Sequence, residues 1–333
     1  MQSKSSYTRI DRQTHMHWMV SSLLGFFLFG GGNYMMSYGL KFPYDLKIIG
    51  SLGYLFFILT IIPFHLLTLK KIHGYNPNCH PNSIYSSEYG LVPGFAVGII
   101  GGMFIFLAHL SLLIGWFYDS KGASITFLLL AGISPITSIF SFFIYKEKFT
   151  PFQITGMIIS LAGIGYLGYG SLDGTWISYF CGIFSLVFYS IRNLTARHLD
   201  VHGLDVYTAG MLNAIGEFAM GILFLVYVIF FSSFYGLLDD INLLIICLIG
   251  AVLVAYGQFF VNQSVMTGNI GVVITIANSC GVLFIALDFF IKGAIPDLLK
   301  LTASLIVIFG VAVMLLGDQI FFKKNSRIST EVL

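Results

Sequence analysis

Residues 241–287 read INLLIICLIGAVLVAYGQFFVNQSVMTGNIGVVITIANSCGVLFIAL and contain no Asp, Glu, Lys or Arg. A helix needs roughly 20 apolar residues to cross the hydrocarbon core of a bilayer, and this stretch is about twice that length. A polar cluster between Asn262 and Asn269 supplies a turn near its middle. The stretch therefore predicts two consecutive membrane-spanning helices.

Apolar blocks of similar length follow one another along the rest of the chain. His17–Leu40, Ile48–Leu69 and Gly174–Ile191 also lack Asp, Glu, Lys and Arg. We predict ten spans, at 17–38, 48–69, 94–116, 123–145, 152–170, 175–194, 207–232, 241–264, 270–291 and 299–322. These spans use most of the 333 residues. The prediction is an all-α integral membrane protein without a separate soluble domain.

Composition and charge agree with this class. Hydrophobic residues make up 57% of the chain and charged residues 10%, whereas soluble domains have about 25% charged residues. A net charge of +2 without a compact basic patch gives no support for a nucleic-acid partner. His73, Cys79 and His80 share one loop but lack a recognised metal-ligand spacing. We predict no metal and no cofactor, and the bilayer is the one partner that composition implies.

The positions of Lys and Arg predict the topology, because positively charged loops stay on the cytoplasmic side. Most of the 17 Lys and Arg residues lie in the two termini or beside the even-numbered gaps between spans. Those beside the odd-numbered gaps, on the opposite side, are Lys41, Lys47, Lys121, Lys292 and Lys300. We therefore predict that the N-terminal tail, residues 1–16, and the C-terminal tail, residues 323–333, are both cytoplasmic.

An internal repeat divides the chain into two halves, residues 17–170 and 171–322. Shifting Asp119–Gly170 by 147 residues lays it without a gap on Met266–Gly317. The shift pairs identical residues, among them Phe142 with Phe289, Thr155 with Thr302, Gly163 with Gly310 and Gly170 with Gly317. Because each half has five spans, an odd number, the halves cross the membrane in opposite senses. Inverted repeats of this kind are typical of secondary transporters.

The sequence SFFIYKEKFTPFQ at 141–153, followed by Gly156 and LAGI at 161–164, carries a family resemblance. It resembles the drug/metabolite transporter superfamily, specifically the EamA-like branch, in which each half has an apolar helix, a Gly-Glu break and a glycine-bearing fifth helix. Here Lys146 replaces the Gly, and the second copy, at 292–294, lacks the Glu. The resemblance implies ten helices, a cavity lined by the first four helices of each half, and peripheral fifth and tenth helices.

Glu217 is the sharpest candidate site residue. It lies near the middle of the seventh predicted span, where a charge costs ~2.5–3.5 kcal/mol on insertion scales, so its side chain should face the bundle interior or water. Asn213 lies one helical turn earlier on the same face. A carboxyl in an apolar site binds a proton more readily, which makes Glu217 a candidate for proton coupling. The alternative is a protonated Glu that bonds a neighbouring helix as structural glue.

Among the other ionisable residues inside predicted spans, His109 and Asp288 are further candidates. His109 is a candidate proton relay, and its structural alternative is a neutral imidazole bonded to a backbone carbonyl. Asp288 is a candidate cavity residue, and its structural alternative is an ion pair with Lys292 one turn later. Arg192 is expected to snorkel to the membrane interface rather than to meet an anionic group.

Amide side chains recur at helix interiors and ends, and as a set they predict a polar, mostly uncharged cavity. They are Asn33, Asn193, Gln258, Asn262 and Asn278. Bonding between helices is the structural alternative for each. Gly31 and Gly32 are candidate hinge residues, with close helix packing as the alternative, and Pro135 is expected to kink the fourth helix.

These features predict a secondary active transporter of a small organic solute, in which two inverted halves rock around a midplane cavity. Proton coupling and a homodimer stay open, as does the choice between plasma membrane and endomembrane. One alternative is a nucleotide-sugar or phosphorylated-solute antiporter of an internal membrane, which needs several cavity cations. Others are a divalent-cation transporter, which needs clustered oxygen ligands, and a non-transporting scaffold or trafficking protein. No nucleophile constellation or P-loop occurs, so neither an enzyme nor an ATP-driven pump is predicted.

Overall fold

A computed structural model of the chain is almost entirely helical in the part that it describes, apart from short connections such as 146–150 and 295–297. The described residues are 18–39, 94–118, 132–169, 175–201, 206–231, 240–293 and 295–328, together with positions 50, 53, 55, 57, 59–62, 130 and 204. The helices are α1 (Trp18–Gly39), α2 (Gly94–Tyr118), α3 (Ile133–Tyr145), α4 (Pro151–Tyr169), α5 (Trp176–Val201), α6 (Val206–Phe231), α7 (Ile241–Thr267), α8 (Ile270–Asn278), α9 (Cys280–Lys292) and α10 (Leu298–Ile328).

Seven helical stretches among the described residues are long and apolar enough to cross a membrane. They lie in α1, α2, α5, α6, α7, the α8–α9 pair and the first part of α10. The shorter apolar helices α3 and α4 fall on the predicted fourth and fifth spans. The chain is therefore an all-helical, multi-pass membrane protein.

The second predicted span and the two predicted tails lie at least partly outside the described residues. The second predicted span, 48–69, lies largely outside the described residues, although the described positions between Gly50 and Ile62 are helical. Residues 1–16 and 329–333 also lie outside them. At the other end, α10 continues to Ile328, so the first residues of the predicted tail 323–333 extend the last helix.

Residues 241–287 form two consecutive spans, as predicted. Asp240 caps the start of α7 by accepting a hydrogen bond from the Leu243 backbone N–H at 3.2 Å. The helix ends at Thr267, and Gly268 and Asn269 form the turn before α8. The polar cluster that predicted this turn therefore lies at the end of α7 and in the connection itself.

The regular helix of the second span is interrupted by one residue, Ser279, whose N–H still bonds the Thr275 carbonyl at 3.1 Å, so the two helices α8 and α9 make one membrane crossing. Gly132, 147 residues earlier, is the turn residue directly before α3, which begins at Ile133. Pro135 lies in the first turn of α3, where proline is tolerated because the missing N–H has no helical partner there. The kink expected at Pro135 stays a prediction, because residues 119–129 and 131 lie outside the described residues.

The helices pack in close pairs through glycines. A Cβ atom at Gly32 would overlap the backbone of Val254, and one at Gly25 would overlap Val261, so α1 and α7 run antiparallel in tight contact. Gly31 on the same uninterrupted helix has only the Leu253 side chain, at 3.9 Å, near that position. Gly32 thus has the packing role that was the alternative to a hinge.

Helices α4 and α10 form another antiparallel pair. Cβ atoms at Gly156 and Gly163 would overlap Gly310 and Val307 respectively, and one at Gly317 would overlap Phe152. The Ser160 hydroxyl donates a hydrogen bond to the Val307 carbonyl at 3.3 Å between these glycines. On the other side of the bundle, α2 packs against both α5 and α6.

Candidate functional site

A small cavity lies beside the interruption between α8 and α9. Its open space measures about 40 Å³, which is room for about three water molecules. Asn278 and Cys280, on either side of the interruption, both line it. Its polar lining consists of Asn33, His109, Tyr189, Arg192, Asn193, Gln258 and Asn278. Five of the predicted site residues, Asn33, His109, Asn193, Gln258 and Asn278, thus meet at one site.

A second cavity of about 40 Å³ adjoins the first, and Asn33, His109 and Leu112 line both. Glu217 lines this second cavity together with Trp116 and several apolar side chains. The two cavities therefore meet at His109 and Asn33. As they stand, they hold waters or a very small solute, and a larger solute requires the helices to separate.

Glu217 is fully buried on α6 and contacts two other helices. Its Oε2 accepts a hydrogen bond from Gln258 Nε2 of α7 at 3.1 Å. Its Oε1 lies 3.5 Å from His109 Nδ1 of α2. The carboxyl therefore faces the bundle interior, as expected for an intramembrane acid.

Two glycines bring α6 close enough to α2 for this contact. A Cβ atom at Gly102 would overlap the carbonyl of Asn213, and one at Gly216 would overlap the carbonyl of Ile99. Because neither position tolerates a side chain without a shift, the backbones meet directly. Glu217, next to Gly216, reaches His109 across this contact.

His109 is 7% exposed, and its ring lies against those of Phe29 and Tyr189. Its Nδ1 is 3.5 Å from Glu217 Oε1, a separation at which a protonated imidazole and a carboxylate form an ion pair. The two side chains therefore bring an imidazole and a carboxyl together at the boundary of the two cavities.

Arg192 is where the structure differs most from the sequence analysis. It is 3% exposed and lines the first cavity instead of snorkelling to the interface. Its Nη1 donates to Asn193 Oδ1 at 2.7 Å, and its Nη2 donates to Asn262 Oδ1. The predicted sixth span ended at 194, whereas α5 continues to Val201 and keeps Arg192 inside the bundle.

Two predicted site residues lie away from both cavities. Asn213 is buried where α6 meets α2, near Gly101 and Thr195. Asp288 accepts a hydrogen bond from the Tyr34 hydroxyl at 2.8 Å and so joins α9 to α1. The predicted pairing of Asp288 with Lys292 lies outside the described residues, since the Lys292 side chain is not among them.

An ion-pair cluster closes one end of the bundle. Arg197 Nε of α5 lies 2.6 Å from Glu147 Oε1, in the connection between α3 and α4, and its Nη1 lies 2.7 Å from Asp200 Oδ2. Arg197 Nη1 also donates to the carbonyl of Met266 at 2.7 Å, near the end of α7. The Ile270 N–H at the start of α8 points to Glu147 Oε2 at 3.4 Å. Glu147, part of the motif that carries the family resemblance, therefore joins the connection between α3 and α4 to α5 and to the start of α8.

Among the described residues, no group of three or more His, Cys, Asp or Glu side chains could hold a metal ion. The loop with His73, Cys79 and His80 lies outside the described residues.

Comparison with known proteins gives a fold and nothing finer. No protein-family model matches the sequence, and no curated protein matches it. A solved structure described as "Crystal structure of protein" is similar, with a TM-score of 0.64 and 16% sequence identity. The match covers 90% of this chain and 98% of the other chain. At this identity the likeness concerns the arrangement of the helices alone.

Proposed function

We propose that the protein is a secondary active transporter of a small organic solute, of the drug/metabolite transporter type, that works by alternating access. The observation that carries the proposal is the polar cavity at the helix interruption between Asn278 and Cys280. Secondary transporters typically bind their solutes near the midplane at helices with local breaks, and the one-residue distortion at Ser279 is a mild form of such a break.

Two inverted halves of five spans each, 17–170 and 171–322, are part of this proposal. Helices α3 and α4 begin at 133 and 151, and α9 and α10 begin at 280 and 298, so both pairs follow the shift of 147 residues. The antiparallel contact of α4 with α10 supports opposite senses for the two halves. Ser160 bonds Val307, its own equivalent 147 residues on, as residues near a two-fold axis do. Both termini are cytoplasmic in this proposal.

Proton coupling through Glu217 and His109 also belongs to the proposal. Their contact lies between the two cavities, where solute and proton compete for the same polar groups. The other titratable groups that line these cavities are Tyr189, Arg192 and Cys280. Loss of the Glu217 charge would change the net charge of this site by one unit, which is how proton uptake would alter solute affinity.

The test is a ligand-stabilisation screen on the purified full-length chain, following the melting temperature across amino acids, amines, sugars, nucleotide sugars, carboxylates and metals at several pH values. A solute that binds the native state raises the melting temperature by mass action. We expect stabilisation by one solute class, with a pH dependence that Glu217→Gln removes. Asp288→Asn is the matched control, because Asp288 is an intramembrane acid that lines neither cavity.

Uptake of the stabilising solute into liposomes with the reconstituted protein completes the test. An imposed proton gradient should drive uptake by the wild type and not by Glu217→Gln. Stabilisation by no solute, with Glu217→Gln shifting only the melting point, would make Glu217 structural glue and favour a scaffold or trafficking protein.

The phosphorylated-solute alternative receives one supporting observation, since Arg192 lines the cavity. Within the described lining, Arg192 has no second Lys or Arg beside it. A nucleotide sugar carries two phosphate groups and calls for more than one cation. The same screen includes nucleotide sugars, and stabilisation by them would favour this alternative.

A further inference from the structure

We propose that Arg192 anchors the solute and that the solute is a small organic monocarboxylate with an apolar body. The inference rests on the proposed function and names the substrate class of its cavity. Three observations support it: the unused hydrogen-bond donors of Arg192 and Tyr189, the charge of Arg192, and the apolar walls of the cavity.

The cavity holds unused hydrogen-bond donors on Arg192 and Tyr189, as well as an unused acceptor, the buried Oε1 of Gln258. A guanidinium has five N–H groups, and Arg192 uses two of them, toward the amide oxygens of Asn193 and Asn262. Its buried Nε has no partner in the part of the chain that the structure describes, and neither has the buried hydroxyl of Tyr189. A carboxylate only accepts hydrogen bonds, so it matches these unused donors.

Arg192 has no carboxylate in direct contact, although Glu217 lies near enough to interact with its charge. Within the described residues no carboxylate lies within ion-pair distance of it, although it is 3% exposed. Arg197, five residues later on the same helix, has two carboxylate partners, Glu147 and Asp200. A buried charge without a carboxylate in direct contact is costly, and an anion bound against Arg192 offsets that cost more than Glu217, which does not contact it. The contrast between the two arginines points to a counter-ion that arrives with the solute.

The walls and size of the cavity limit the rest of the solute. Ile105, Leu130, Ile133 and Ile274 are among the apolar lining residues. A single guanidinium balances one negative charge, whereas a phosphate monoester carries about −1.5 to −2 near neutral pH. A short or branched monocarboxylate fits both the charge and the apolar surface better than a phosphate ester does.

The test uses the purified full-length protein and four probe sets: monocarboxylates from acetate to 4-methylpentanoate, their amides, glycerol 3-phosphate, and neutral or cationic solutes. Stabilisation against heat gives the concentration for half-maximal effect. We expect the carboxylates to stabilise and the amides not to. In Arg192→Gln, which retains an amide donor but no charge, that concentration should rise at least tenfold. Arg192→Lys should show a smaller loss, and Arg197→Lys should stay within about twofold of the wild type.

Equal stabilisation by carboxylates and amides, or unchanged carboxylate binding in Arg192→Gln, would overturn the inference. If Arg192→Gln does not fold, Arg192→Lys and the carboxylate-amide comparison on the wild type decide the matter. Preference for glycerol 3-phosphate would reject the carboxylate and support a phosphorylated solute. Binding and uptake of neutral or cationic solutes alone would reject this inference and leave the transporter standing. If no solute of any charge binds or crosses the membrane, the proposed function itself fails, and the inference with it.

Discussion

Lys146 and Gly293, which are 147 residues apart, both adopt left-handed backbone immediately after a helix of 13 residues. Their φ angles are 57° and 65°, and each N–H bonds a carbonyl in the last turn of its helix. Glycine adopts this conformation without strain, whereas a residue with a Cβ atom is disfavoured by ~1–2 kcal/mol. The same chain reversal is thus made once by a strained residue and once by an unstrained one.

We expect Gly293→Ala to lower the free energy of unfolding by about 1 kcal/mol through backbone strain alone, because nothing lies within 4 Å of the added Cβ atom. Lys146→Gly should remove strain and raise the melting temperature slightly, with part of the gain offset by the greater freedom of glycine in the unfolded chain. Thermal melting in detergent measures both variants. A Gly293→Ala protein as stable as the wild type would refute the strain at this position.

Gly102 should be among the least replaceable residues, because α2 and α6 meet there backbone to backbone. Gly102→Ala forces the Asn213 carbonyl aside, and overpacking of this kind costs about 1–3 kcal/mol. Gly165→Ala in α4 is the matched control, since a Cβ atom there meets nothing within 4 Å. It should be neutral or slightly stabilising, as alanine is the better helix former. Similar melting temperatures for the two variants would contradict the close contact of α2 with α6.

The stability lost when Glu217 is replaced should depend on the replacement. Glu217→Ala leaves the Gln258 amide without the oxygen to which it donates and removes the carboxyl that His109 contacts, and an unsatisfied buried polar group costs about 1–3 kcal/mol. Glu217→Gln keeps an acceptor for Gln258 and should lose less stability. Thermal melting of both variants, with Asp288→Asn alongside, separates the carboxyl's structural contribution from its charge. An Ala variant no less stable than the Gln variant would argue against the contacts described.

Hydrophobic patterning predicted most helices because span length and charge gaps are local properties. It also predicted that Glu217 faces the interior, since a charge at membrane depth has nowhere else to go. Helical spacing predicted that Asn213 lies on the same face of its helix as Glu217. In the structure Asn213 does not line a cavity, because α2 packs over that part of the face at Gly102. Periodicity predicts on which face of a helix a side chain lies. It does not say which neighbour lies there or how closely it packs.

Arg192 was misjudged for a related reason. An arginine near the end of an apolar block normally reaches the interface, and the block seemed to end at 194. Helix α5 instead runs to Val201, and Arg197 and Asp200 of its polar last turns form the ion-pair cluster with Glu147. Arg192 therefore lies more than two helical turns from the helix end. Only the tertiary contacts of the polar residues after 194 reveal this, because they prolong the span without adding apolar residues.

We expect the Glu147–Arg197–Asp200 cluster to limit the access of water to the cavity from the end of the bundle where it lies. Arg197 joins the α3–α4 connection to α5 and to the end of α7, so its loss should loosen all three together.

Cys280 is a suitable reporter, since it lines the cavity and is buried. In a protein whose other cysteines, Cys79, Cys181 and Cys247, are replaced by alanine, we expect Arg197→Ala to raise the rate of Cys280 alkylation by a water-soluble maleimide severalfold. Arg197→Lys, which keeps a charge for Glu147, should raise it less. A rate that is the same in all three proteins would mean that this cluster does not control access to the cavity, and that water enters from elsewhere.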